Sequence, residues 1–383
     1  MIYLDYSATT PVDARVLEAM TPYFSASFGN PSSVHRYGQA AEAAVESARE
    51  TVASVLNCLP EEVIFTSCGS ESDNLALRGA AYAMRAKTGA TWLLASRAEH
   101  PAVTKTLKHL EQYEGFQVEW LGVDEHGKVT PEAVSKAICN GTAVVSVMYA
   151  NNEIGTINPI RELAEICRAN GILFHTDAVQ AAAYLPVDVQ SLGVDMMSLG
   201  AHKFYGPKGV GALYVRKGTP LVSHLTGGGQ EFSLRAGTQN VPYIVGFAEA
   251  LRLTAGERQQ RVAHVQPLRD RIIGAVLETV PNSCLTGDLD ARLPHHASFA
   301  FQGVDGNLLL TLLDAAGFAC SSGSACKTGN PEPSEVMNAI GLSREWGFGS
   351  LRVTLGKDTL PADVEAFLSV LPGLVEKART LGK

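Results

Sequence analysis

The chain has 383 residues, 46% of them hydrophobic and 18% charged, and its formal net charge is −8. That size suits a globular protein with two domains and a large core, and the acidic balance argues against direct nucleic acid binding. No apolar run reaches the ~18 residues needed to cross a bilayer, and the segment after Met1 has neither a basic start nor an apolar signal region, so a cytoplasmic protein with no membrane association is expected.

In chain order, a turn at Thr9 to Pro11 precedes the first helix, and a long helix is predicted over residues 39–56. Apolar runs rich in β-branched residues follow at 63–67, 92–96, 117–121, 143–149, 172–176, 196–199 and 211–215. Helical patterns separate several of them, at 72–87, 101–113, 131–139 and 159–170. Strands alternating with helices predict an α/β fold with a mostly parallel seven-stranded sheet covered on both faces. In such sheets, sites lie beyond the carboxyl ends of the strands. Beyond residue 240 the pattern changes to a long helix over about 243–278, bent near Pro267. Shorter strands at 297–301 and 351–354 follow, with helices at 307–316 and 362–380, the last kinked or interrupted at Pro372. The expected division is a large domain over 13–257 and a smaller α/β domain formed by 1–12 and 258–383.

Two segments carry the chemistry. His175 to Gln180 reads HTDAVQ and Gly200 to Gly209 reads GAHKFYGPKG, each after an apolar run. A lysine amine at Lys203 can form a Schiff base with the aldehyde of pyridoxal phosphate. A carboxylate at Asp177 can pair with the pyridinium nitrogen and make the ring an electron sink. A surface lysine and a helix-capping aspartate are the plain alternatives. Gln180 is placed to reach the ring oxygen, and His175 to support the strand end. The turn around Gly69 and Ser70 opens a helix whose free amides attract phosphate; otherwise it is a Ser-capped helix with Glu71 and Asp73 in its first turn. His100, between a strand and a helix, can stack on a pyridine ring and pass protons, or it is a surface or core imidazole.

Asn151, Asn152, Glu153 and Gly155 form a turn, or bring an Asn amide to the cofactor or a substrate carboxylate. Arg352 can hold such a carboxylate by two bonds, or point outward from its strand. The Gly-rich loop from Gly227 to Thr238 is a surface excursion, or crosses a dimer interface and carries Thr238 to a neighbour's phosphate. The seven cysteines are scattered, with no C-x-x-C pair, so neither a disulfide framework nor a metal site is suggested. Cys326 differs from the rest: Ser, Gly and Ala residues precede it, and Lys327 favours its thiolate. Cys320 reads as structural.

Taken in their joint order, from Tyr3-Leu4-Asp5 and Ala8-Thr9-Thr10 through Phe28 to Ser32, NNEIG, HTDAVQ, AHKFYGPKG, GGGQE, RAGT, SSGSAC and Glu332-Pro333-Ser334 to Arg352, these motifs resemble the cysteine desulfurases. These are pyridoxal-dependent enzymes of the class V aminotransferase superfamily. The resemblance is to the group with a long catalytic loop, which serves nitrogenase and iron–sulfur assembly. It implies a fold-type-I transferase that converts L-cysteine to L-alanine and a persulfide on Cys326. Sulfur then passes to an acceptor protein for iron–sulfur cluster assembly, tRNA thiolation or DNA sulfur modification. Carried onto this chain, Lys203 holds the cofactor, Asp177 and Gln180 bond the ring, and His100 stacks on it. Gly69, Ser70 and His202 bind phosphate, with Thr238 supplied across a homodimer. Asn152 contacts the cofactor and, with Arg352, holds the substrate carboxylate. Lys203 or His100 takes the α-proton. Two departures stand out: Gly200 replaces a serine that contacts the phosphate in related enzymes, and Phe232-Ser233 replaces a common Arg-Gly. A selenocysteine lyase or another class V enzyme is the alternative, and a non-catalytic dimeric docking platform is the alternative of a different class.

Overall fold

A computed structural model describes residues 1–322 and 333–381. Its strands are β1 (Ile2–Tyr3), β2 (Val63–Thr66), β3 (Trp92–Ser96), β4 (Gln117–Leu121), β5 (Thr142–Ser146) and β6 (Leu173–Asp177). They continue as β7 (Met196–Gly200), β8 (Gly211–Val215), β9 (Ser283–Leu285), β10 (His296–Phe301), β11 (Phe318–Ala319) and β12 (Ser350–Thr354).

Seven strands form the main sheet, in the order β2-β8-β7-β6-β5-β3-β4. Only β8 is reversed, pairing antiparallel with both β2 and β7. The others are joined by crossovers such as the helices Gly69–Thr88, Pro101–Glu114, Pro131–Ala137 and Ile160–Ala169. Strands β5, β7 and β8 are buried along their whole length, as a sheet covered on both faces requires. The link from β7 to β8 is too short for a crossover, so β8 must run back beside β7. Lys203 lies in that link.

A three-stranded antiparallel sheet, β12-β10-β9, and the parallel pair β1-β11 lie outside the main sheet. The segment after β1 runs along β12: Thr354 N donates to Leu4 O at 2.8 Å.

The helix Val241–Thr279 runs on past Pro267, and one sequence expectation is corrected: Pro372 does not interrupt its helix, which runs over Pro361–Leu381. A proline inside a helix costs roughly 3 kcal/mol. Here buried residues on both sides hold the turns: Val265, Arg269 and Ile272 in the first helix, and Phe367, Leu371 and Val375 in the second. A second difference shapes the site. The helix expected from residue 72 begins at Gly69, so its first amides reach the end of β2.

Candidate active site

The carboxyl ends of β2, β3, β5, β6 and β7 surround a cavity of about 270 Å³. Ser70, His100, Asn152, Asp177, Lys203 and Arg352, from six separate segments, are among its lining residues.

Lys203 closes the short turn after β7. The N-terminal segment straps that turn down. Thr10 N donates to His202 O at 2.9 Å, and Asp13 N donates to Tyr205 O at 3.0 Å. Tyr205 N in turn donates to Thr10 Oγ1 at 2.8 Å. This strap holds Tyr205 at φ +68°, a left-handed conformation rare outside glycine. The Lys203 amine donates to Ser7 O at 2.6 Å and to Ala8 O at 2.7 Å. Burial, helped by the charge of Arg352, lowers its pKa to about 8, against the pull of Asp5 and Asp177.

Asp177 ends β6. Its Oδ1 accepts from Val179 N at 2.9 Å, so it does form a local turn, and it also lines the cavity. Burial raises its pKa, while His100, the Val179 amide and Lys203 pull it back. Gln180 lines the same wall, and its Nε2 donates to Ser7 O at 2.8 Å. His175, within β6, bridges the hydroxyls of Ser146 and Ser198 at 2.9 Å each. Burial lowers its pKa to about 3, so it supports the wall as a neutral ring.

At the opposite end, the helix Gly69–Thr88 points its amino terminus at the cavity. Its cap is Cys68, which makes no side-chain capping bond, and Ser70 lies inside the first turn. The Ser-capped alternative is thereby overturned. A side chain at Gly69 would put its Cβ 2.7 Å from Val179 Cγ2, so only glycine allows this approach. His202 also lines the cavity, and burial lowers its pKa to about 4. A helix amino terminus, a hydroxyl and an imidazole suit a phosphate.

His100 caps the helix Pro101–Glu114: its Nδ1 accepts from Ala102 N at 3.1 Å. Burial lowers its pKa, so the ring is neutral near pH 7. With Nδ1 accepting, the hydrogen of that neutral ring belongs on Nε2. Arg352, on β12, turns inward and is only 7% exposed. It donates from Nη1 to Asn152 O at 2.7 Å and from Nη2 to Asp5 Oδ1 at 2.8 Å. Its Nε is buried without a partner, a donor left for a carboxylate. Asn151 serves the NNEIG turn itself, its Oδ1 accepting from the amides of Glu153 and Ile154.

One expected residue, Thr238, is assigned to a partner subunit's cradle. It is exposed and does not line this chain's cavity. Cys326 lies outside the described residues. Burial pushes up the pKa of the Cys320 thiol, just past β11. The GGGQE loop has a structural job: buried Glu231 pairs with buried Arg49 at 2.9 Å and accepts from Phe65 N at 2.8 Å. The departing residue Phe232 lies 5.0 Å from that guanidinium, face on.

Sequence reasoning missed several lining residues: Ser7, Ala8, Cys68, Asp73 and Met148. Ser7 and Ala8 act through backbone carbonyls, which no motif advertises. The donor set fits pyridoxal phosphate: an amine with a depressed pKa, a buried carboxylate for the ring nitrogen, an imidazole at the wall and a phosphate cradle at the far end.

A family model described as aminotransferase class-V matches residues 2–367. The chain is 44% identical over 380 residues to cysteine desulfurase IscS of Dictyoglomus turgidum, covering 99% of this chain and 96% of that one. It superposes on a NifS-like protein with a TM-score of 0.91 at 36% identity, covering 98% and 99% of the two chains. A structure of SspA in complex with cysteine gives a TM-score of 0.81 at 34% identity, covering 94% and 100%. From residues, geometry and relatives together, the chain belongs to the class-V aminotransferase family.

Proposed function

We propose that this chain is a pyridoxal-phosphate-dependent cysteine desulfurase, converting L-cysteine to L-alanine and leaving the sulfur as a persulfide on Cys326. The observation that carries the reading is the placement of the Lys203 amine in one cavity with Asp177, Gln180, His100 and Arg352. The named desulfurase relatives support it.

When bound, pyridoxal phosphate supplies an aldehyde for covalent attachment and a ring that draws electrons from the substrate. Lys203 is the attachment point: with its pKa near 8, about a tenth of the amine is neutral and nucleophilic at pH 7. Asp177 holds the ring-nitrogen end and Gln180 the ring oxygen. Gly69, Ser70 and His202 hold the phosphate, with Thr238 of the partner subunit completing the cradle in a homodimer. Arg352 and Asn152 orient the substrate carboxylate.

The α-proton goes to Lys203 rather than His100. The Nδ1 lone pair of His100 is engaged by Ala102 N, and its Nε2 carries hydrogen. His100 therefore flanks the ring as a donor. The Cys326 thiolate attacks the substrate sulfur, forming an S–S bond as the carbon–sulfur bond breaks. The bonding pair stays with the β-carbon, which takes up a proton, and Lys203 returns the α-proton to give alanine. An acceptor protein then removes the sulfur. On this reading, residues 13–257 form the cofactor domain, and 1–12 with 258–383 the domain bearing Cys326. Among the described residues, no helix is long and apolar enough to cross a membrane; a cytoplasmic location is part of the same proposal.

Borohydride reduction of the cofactor-loaded chain, followed by peptide mass mapping, tests the assignment. The adduct is expected on Lys203 and absent from Lys203→Ala. An adduct on another side chain refutes it.

A further inference from the structure

The floor of the cavity contains more acid than this mechanism uses. Asp73, on the helix Gly69–Thr88, is 1% exposed and lines the cavity beside Asp177. Side-chain polar atoms of Asp73, Asp177 and His100 lie within 4.8 Å of one another. Asp73 Oδ1 has no hydrogen-bond partner, and the nearest imidazole nitrogen, His175 Nε2, is 3.6 Å away. That nitrogen is already shared with Ser198 Oγ.

The ionisable groups around Asp73 come from four elements. Asp177 and His175 belong to β6, Glu99 and His100 follow β3, Cys68 caps the helix, and Lys203 follows β7. Glu99 is itself buried, with Oε1 accepting from Met148 N at 2.8 Å and Oε2 unpartnered. Two carboxylates this close and this dry cannot both ionise. Asp177 has the better claim to the charge, because the Val179 amide and the Lys203 ammonium favour its anion, whereas Asp73 has the Ser198 hydroxyl.

We propose that Asp73 is a second positioning acid of this site: it shares one negative charge with Asp177 and carries the proton of the pair. A single anion then faces the single positive charge of a protonated ring nitrogen, and no uncompensated charge is left in the buried wall. Only the identity of that cation rests on the cofactor reading; the sharing belongs to the ligand-free chain.

Infrared spectroscopy of the ligand-free chain, with carbon-13 in its aspartate carboxyls, tests this. The wild-type minus Asp73→Asn difference spectrum at pH 7 should contain an isotope-shifted protonated-carboxyl band. The wild-type minus Asp177→Asn spectrum should contain one too, because Asp73, freed from its rival, gives up its proton. This second variant also decides the matter if Asp73→Asn does not fold. Loss of no acid band in either comparison overturns the proposal. These spectra involve no cofactor, so they stand or fall separately from the mapping of the Lys203 adduct.

Discussion

Arg352 and Asp5 form a 2.8 Å ion pair that ties β12 to the segment following β1. The pair turns the guanidinium into the cavity and leaves its Nε unengaged. A lysine at this position offers one point charge instead of a planar fork. Arg352→Lys should therefore raise KM for L-cysteine by about tenfold to a hundredfold, the scale of one or two charge-assisted hydrogen bonds. Steady-state kinetics checks this; a fall in kcat with unchanged KM would count against a carboxylate-holding role.

Burial sets the pH response of Lys203, and the same pair tunes it from both sides. Its pKa in the folded chain, about 8, lies below that of an unfolded lysine. Cofactor attachment to the ligand-free chain should accelerate as pH rises through about 8, where the amine loses its proton. Asp5 favours the charged amine and Arg352 opposes it. Asp5→Asn should thus move the midpoint down, and Arg352→Gln should move it up. Linkage runs the same way. Between the two pKa values the unfolded chain binds the extra proton, so stability relative to Lys203→Met should rise with pH above about 8. Stopped-flow absorbance and denaturant titrations measure the two effects.

Gly200 leaves room for the serine found in related enzymes. A Cβ there would approach Gly69 N and Val179 Cγ1 no closer than 3.5 Å, an ordinary contact. Its φ of −140° suits any residue. Gly200→Ser should add a hydroxyl beside the helix amino terminus and slow cofactor loss by about tenfold, one hydrogen bond to a charged group. Dialysis followed by absorbance reads the off-rate.

Removing one partner of a buried ion pair strands the other. The side chains of Glu231 and Arg49 are 1% and 2% exposed. Glu231→Ala should cost about 3–5 kcal/mol of stability. A thermal shift near zero would mean that water reaches Arg49.

Cys326→Ser should retain the visible absorbance of bound cofactor and form no persulfide. Sulfur release at the wild-type rate, with mass spectrometry detecting persulfide on another cysteine, would displace Cys326 from its role.

Much of the sheet was legible because its local signals agree. Strands β3, β4 and β8 match their expected bounds, each a compact apolar or alternating run. Lys203, Asp177 and His100 were legible because strand ends place them. What stayed hidden depends on distant neighbours. Asp73 reads locally as a first-turn acid, and only β6 and the segment after β3 reveal it as a buried carboxyl. The start of the helix at Gly69 was hidden because Cys68 makes no side-chain cap. Both proline-bearing helices run on past their prolines because their flanking turns are packed.

The cavity wall draws on Ser7 near one end of the chain and Arg352 near the other. A nascent polypeptide on the ribosome therefore lacks the pocket until β12 has emerged and docked beside Leu4. Contacts of such long sequence separation form late in folding. On the proposed function, vitamin loading then reports complete maturation, and the yellow colour of a preparation becomes a gauge of how many molecules have finished folding.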